Sequence, residues 1–220
     1  MGHAIEELAV RRGHQISCTI DTPADMAEKE RVLRQSDVAV EFTTPQTAAD
    51  NITKCLRLGV PIVCGTTGWY DRFDEIAALC REREGALFTA TNFSIGMNIM
   101  FAINERLASL MRGRDSYKAD ITETHHVHKL DAPSGTAITL RDQIVQCGGR
   151  SKDDIPVKSF RIGEVPGIHT VRYDSDVDTI SISHEAKSRR GLAEGALLAA
   201  EFLPGRQGVF TMKDLLKVES

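Results

Sequence analysis

The residues best equipped for chemistry lie between Glu123 and Ala137, in the run Glu-Thr-His-His-Val-His-Lys-Leu-Asp-Ala-Pro-Ser-Gly-Thr-Ala. Three histidines and a lysine, His125, His126, His128 and Lys129, fall within five consecutive positions. Imidazole is the side chain suited to proton transfer near neutral pH, and a nearby ammonium lowers its pKa or donates a proton itself. Ser134, Gly135 and Thr136 follow a proline at what reads as a helix start, where N–H groups and hydroxyls can hold a carboxylate or phosphate. Taken alone, Ser134 reads first as a helix cap. If strand geometry persists through the cluster, His125 and Lys129 project to one face and His126 and His128 to the other. The spacing of His126 and His128 also admits a histidine-ligated metalloenzyme. Lys129 disfavours a cation there and no Cys or Glu stands at ligand spacing, so no metal is expected.

These residues need a scaffold, and composition limits it. The chain of 220 residues is 41% hydrophobic and 26% charged, enough to bury a core in one or two domains. A net charge of −4 without a long basic run argues against nucleic acid as a partner. No apolar stretch approaches membrane-spanning length. Five cysteines (Cys18, Cys55, Cys64, Cys80 and Cys147) are scattered and odd in number. They read as buried free thiols of a reducing, cytoplasmic compartment.

Residues 4–12 predict a helix, with Ile5, Leu8 and Ala9 on one face and Gly13 as its stop. Residues 15–20 alternate strictly and predict a strand ending at Asp21. A helix followed by a strand with an acidic end is the second half of a dinucleotide-binding βαβ unit. Its first half, a strand and a glycine-rich phosphate loop, is expected upstream of Met1-Gly2 and is missing from this sequence. Residues 24–35 predict a charged surface helix. Strands at 37–43, 61–64 and 86–90 alternate with helices that open at Thr44-Pro45 and span 71–84, which predicts a parallel sheet covered by helices. Ligands bind such sheets at the carboxyl ends of the strands, a rule that selects Asp21, Phe42-Thr43, Gly65-Thr66-Thr67 and Asn92-Phe93. Gly65-Thr66-Thr67-Gly68 by itself is equally an ordinary strand-to-helix turn.

The second half differs. A helix is predicted over 95–111, with Ile99, Met100, Ile103, Leu107 and Leu110 buried. A strand at 118–124 delivers the histidine cluster, and a helix over 136–146 stops at Gly148-Gly149. Strand-like runs at 157–164, 168–173 and 178–185 predict an antiparallel or mixed sheet, hence an α+β domain. An Ala-rich helix at 192–202 and a short segment at 209–216 close the chain, with hinges expected near Ser94 and Ser188.

The run from His125 to Ala137 closely resembles the signature of the 4-hydroxy-tetrahydrodipicolinate reductases, also called dihydrodipicolinate reductases, of the diaminopimelate route to lysine. Glu41-Phe42-Thr43, Gly65-Thr66-Thr67-Gly68, residues 90–98 and Gly195-Ala196 fall in family order, so the resemblance covers nearly the whole chain. It implies an NAD(P)H-dependent oxidoreductase acting on a small cyclic dicarboxylate. It also implies an α/β fold: a discontinuous Rossmann-type cofactor domain, 1–94 and 189–220, and an α+β substrate-binding domain, 95–188, that forms a homotetramer through its sheet. By resemblance His125 is the general acid and Lys129 a proton donor, while His126, Ser134, Gly135 and Thr136 hold the substrate carboxylates. Phe42, Gly65, Thr66, Thr67, Ala90, Thr91, Asn92 and Phe93 line the cofactor site, and Asp21 bonds the ribose. Thr22-Pro23 offers no Arg for a 2′-phosphate, so NADH looks at least as suitable as NADPH. Arg189 fits the family pattern, and Leu192 stands where relatives often carry an aromatic residue. A non-catalytic NAD(P)H-binding protein of the same fold is the alternative, and the intact His125/Lys129 pair argues against it.

Overall fold

The computed structural model describes residues 1–218. The chain divides into two compact units, Met1–Ile95 with the segment from Arg190 onward, and Gly96–Arg189. Residues 219 and 220, which the sequence assigns to the cofactor domain, lie outside the described residues.

The first unit opens on α1 (Gly2–Arg11), which buries Ile5, Leu8 and Ala9 as its spacing predicts. Residues 15–20 do not form the expected strand. A strand exists only through a neighbour's N–H and C=O groups, and no described strand pairs with this segment. Cys18 and Ile20 still lie against the core while Ile16 is 40% exposed, so the alternation reports burial without a ladder. The charged stretch forms two short helices, α2 (Pro23–Glu28) and α3 (Glu30–Leu33), instead of one. They break at Lys29, whose ammonium donates to the Thr19 carbonyl and to Asp25. Then β1 (Ala39–Glu41), α4 (Pro45–Leu58), β2 (Ile62–Cys64), α5 (Phe73–Glu82) and β3 (Ala86–Thr89) alternate. Pro45 starts α4 where its missing N–H costs nothing, and Gly59 ends it in the left-handed region at φ 75°. Every residue of β2 and β3 is buried, as helices on both faces require.

In the second unit, α6 (Ile95–Met111) buries Met97, Met100, Asn104, Ala108 and Met111. Of the residues expected inside, Ile99, Ile103 and Leu110 are 45%, 48% and 50% exposed. The helix is apolar nearly all round, so periodicity does not fix its phase. Asn104, with no exposed surface, fixes it by donating to the Leu140 carbonyl and to Gln143. β4 (Lys118–His125), α7 (Gly135–Gly148), β5 (Val157–Arg161), β6 (Ile168–Asp174) and β7 (Thr179–Glu185) follow. The sheet order is β5-β4-β6-β7, with β4 and β5 parallel and the other pairs antiparallel. Ala119 and Ile121 of β4 pack on Met97, Met100, Leu140 and Ile144. The same buried face of β4 continues through Glu123 to His125.

The chain returns to the first unit as α8 (Arg190–Phe202), β8 (Gly208–Phe210) and α9 (Met212–Leu216). β8 completes an all-parallel sheet of order β1-β2-β3-β8. All five cysteines are free, with Cys55, Cys64 and Cys80 buried. Among the described residues no helix is long and apolar enough to cross a membrane. α8 packs by its small residues, and Gly195 passes so near the chain at Phe93 that a Cβ would stand 1.7 Å from the Phe93 carbonyl oxygen. Gly195→Ala is therefore expected to cost about 1–3 kcal/mol. Its urea midpoint should drop clearly below that of the parent protein, and an unchanged midpoint would contradict this contact.

Candidate active site

The central strand β4 brings Glu123 and His125 to one face, two positions apart. Glu123 has no exposed surface and His125 is 8% exposed. Glu123 Oε2 lies 2.5 Å from His125 Nδ1, an ion-pair contact that does not meet hydrogen-bond geometry. The other oxygen, Oε1, accepts from Arg161 Nη2 at 3.1 Å and from the Ser134 backbone N–H at 3.2 Å. Strand register supplies these partners: His125 stands opposite Arg161 of β5, and Glu123 opposite Ser159 of β5 and His169 of β6. The His125 and His169 rings meet edge to face with centroids 5.0 Å apart. Sequence reasoning gave no role to Glu123, Arg161 or His169. The first was detectable from its spacing to His125, whereas the other two arrive only through pairing.

The strand ends at His125, so the expected alternation of faces from His126 to Lys129 does not occur. The chain turns instead, with the Lys129 N–H donating to the His126 carbonyl. His126 is half-buried, whereas His128 points outward to Glu164 at 3.1 Å. The Lys129 ammonium is bound by Asp131 at 2.7 and 2.9 Å. Arg161 spans the turn from below, donating to the carbonyls of Lys129 at 3.1 Å and Asp131 at 2.5 Å. Ser134 is buried and caps α7, its Oγ accepting the Ala137 N–H at 3.2 Å and lying 3.2 Å from His169 Nε2. Gly135 and Thr136 begin the helix, where N–H groups have no intrahelical acceptor.

Burial acts against charge throughout this cluster. Desolvation raises the Glu123 pKa, but hydrogen bonds involving Ser159, Ser134 and Arg161 outweigh it and hold the carboxyl below its ordinary range. Desolvation lowers His125, opposed by the Glu123 charge and reinforced by Lys129 and Arg161. His169 is pushed down to about 4, first by burial and then by the His125 charge. Glu123, His125 and His169 each offer a ligand atom within 4.8 Å of the others. Tetrahedral zinc separates such atoms by about 3.3 Å. The 2.5 Å contact and the Arg161 guanidinium on the same carboxylate suit a proton better than a cation.

In the first unit, Glu41, Cys64 and Thr89 are aligned across β1, β2 and β3, so Phe42, Gly65 and Ala90 leave the sheet at one level. The Phe42 ring lies over Gly65, where a Cβ would come within 2.1 Å of it, and stands 5.7 Å from the Phe93 ring. Thr66 Oγ1 accepts the Thr43 N–H at 2.8 Å, and the Thr66 carbonyl accepts from Trp69 Nε1 at 2.9 Å. Thr67 and Thr91 are exposed and Asn92 is half-buried. Asp21 is exposed, with its N–H donating to Asp25. Glu41, which sequence reasoning left without a role, holds this rim: it accepts from the Thr43 N–H, the Thr43 hydroxyl and the Cys64 thiol.

Residues 1–93 match the family described as dihydrodipicolinate reductase, N-terminus, and residues 96–216 match dihydrodipicolinate reductase, C-terminus. The chain belongs to the dihydrodipicolinate reductase family. A 4-hydroxy-tetrahydrodipicolinate reductase of Christiangramia forsetii is 43% identical over 98% of this chain and 93% of its own length. One from Neisseria meningitidis serogroup A is 34% identical over 98% of this chain and 81% of its own. In fold, the chain is similar to dipicolinate-bound dihydrodipicolinate reductase from Paenisporosarcina sp., with a TM-score of 0.74 at 20% identity over 88% of this chain and 80% of that one. As a member of the family it is an NAD(P)H-dependent oxidoreductase.

The buried histidines link this site to stability. Unfolded His169 protonates near its ordinary value of 6.5 and folded His169 only near about 4, so between these values the unfolded state binds more protons. Stability is therefore full above that window and falls as pH drops through it. His125 and His184, both lowered by burial, add to the slope. His169→Asn should make the urea midpoint less sensitive to acidification from about pH 7 to about pH 5. An unchanged sensitivity would show that His169 is not held neutral.

Proposed function

We propose that this protein reduces 4-hydroxy-tetrahydrodipicolinate to tetrahydrodipicolinate with NADH or NADPH, with His125 as the general acid. The observation that carries the assignment is the buried ion-pair contact of His125 with Glu123 beside the start of α7. A reduced nicotinamide supplies the hydride, and the chain must supply a proton and a grip on two carboxylates.

The half-buried His126, the first-turn N–H groups of Gly135 and Thr136 and the Thr136 hydroxyl are the carboxylate grip, with Ser134 fixing the helix start. Lys129 is the second proton donor, reached by exchanging Asp131 for the substrate anion. In the first unit, the flat surface of Phe42, Gly65 and Ala90, edged by Thr66, Thr67, Thr91, Asn92 and Phe93, suits a heteroaromatic ring with polar substituents. Asp21 is placed at the ribose. The cofactor domain is residues 1–94 with 189–220, and residues 95–188 carry the substrate. Assembly as a cytoplasmic homotetramer through the second sheet completes the proposal. The open face of that sheet supports it, where Phe160 is 47% exposed.

His125→Gln should lower kcat by about 10²–10⁴-fold while nicotinamide affinity, read by fluorescence titration, stays unchanged. Full turnover in this variant would remove His125 from the acid role. Thr136→Val removes a hydrogen bond made alike in the ground and transition states. It should raise the substrate KM by about 10–100-fold, the equivalent of about 1.5–3 kcal/mol, with little change in kcat.

A further inference from the structure

We infer that Glu123, clamped by Arg161, is a positioning residue that turns the His125 ring so that Nδ1 faces the carboxylate and Nε2 is the nitrogen that exchanges a proton with substrate. The inference rests on the reading of His125 as the acid and adds which atom acts and what holds it there.

Three observations carry it. Glu123 cannot turn away from His125, because Oε1 is held by Arg161 and by the Ser134 N–H while Oε2 contacts Nδ1. A neutral imidazole has one N–H, and an adjacent carboxylate draws that hydrogen to the nitrogen it faces. At the other nitrogen the neighbour is a glycine, and a Cβ at Gly167 would crowd it, standing 3.2 Å from His125 Nε2. Finally, Arg161 bonds the Lys129 and Asp131 carbonyls as well as Glu123, so one guanidinium positions both proposed proton donors.

The proton balance is simple. The reduction takes up one hydride and one proton and releases the 4-hydroxyl as water; as hydride adds, imidazolium His125 gives its Nε2 proton to the substrate. It remains neutral with its other proton on Nδ1, and it regains the lost proton from solvent after product leaves. The charges that face this ring are Glu123 on β4, Lys129 on the following turn, Arg161 on β5 and His169 on β6, with His184 of β7 acting on His169. Of these only the Glu123 carboxylate favours the imidazolium. Removing its charge must therefore shift the loss of the protonated form to lower pH.

The test combines a spectrum with a variant. In full-length protein labelled with ¹⁵N-histidine, neutral His125 is expected as the Nδ1–H tautomer, and the Nε2–H tautomer would overturn the inference. Glu123→Gln keeps the shape and removes the charge. It should lower kcat at least about 10-fold, in line with the loss seen when the orienting carboxylate of a catalytic triad is neutralised. It should also move the alkaline limb of kcat/KM to lower pH, with Glu123→Asp recovering part of that shift. A wild-type limb in Glu123→Gln would refute the role, and if that variant does not fold, the tautomer of the parent protein decides. His125→Gln separates the two readings. Full turnover there removes the acid assignment itself, whereas an inactive His125→Gln beside a wild-type limb in Glu123→Gln removes only the positioning role.

Discussion

A carboxylate with no exposed surface has to be surrounded by cations and N–H donors, and at Glu123 that requirement ties the second unit together. Desolvating such a group costs several kcal/mol, and a half-satisfied one would unfold its surroundings. Its partners come from β5 through Arg161, from the start of α7 through the Ser134 N–H, and from β4 itself through His125. Arg161 then passes the constraint to the turn that carries Lys129. Ala119 and Ile121, on the same face of β4, show what the position would hold if packing alone decided. Two ionisable residues in place of the next two apolar ones give up stability that packing would supply.

The first unit uses the same device on a smaller scale. Glu41, the last residue of β1, is buried and collects the Thr43 N–H and the Cys64 thiol, while Thr43 also reaches Thr66. Burial pushes the Cys64 thiol up, so it serves as a donor in its neutral form. In each unit a buried acid near the end of a strand fixes the backbone just beyond it, which is where parallel strands present ligands.

Much of this was legible because local rules and tertiary structure agree. Pro45 and Gly59 bound α4, Ser134 and Gly149 bound α7, and the apolar stripes of α1 and α4 face inward as their spacing predicts. Most of the misses share one cause, since they depended on a partner that spacing does not encode. Residues 15–20 have the alternation of a strand but no ladder. The phase of α6 was chosen by Asn104 meeting Leu140 and Gln143, not by Ile99 and Ile103. Arg161 and His169 reach the site only through β4 pairing with β5 and β6. Glu123 differs, because the period-two rule alone places it on the buried face of β4 with His125.

The parallel pairing of β4 and β5, with α7 between them, has a consequence for inheritance. From Lys118 to Arg161 the chain runs without interruption through Glu123, His125, His126, Lys129, the Ser134–Thr136 helix start and the arginine beneath them. Of the groups packed around the His125 ring, His169 and Gly167 come from outside that stretch, with His184 behind His169. The proposed proton donor and anion grip, so encoded, can pass between genes by a single recombination event. The same continuity makes this stretch a natural unit to graft onto another mixed sheet.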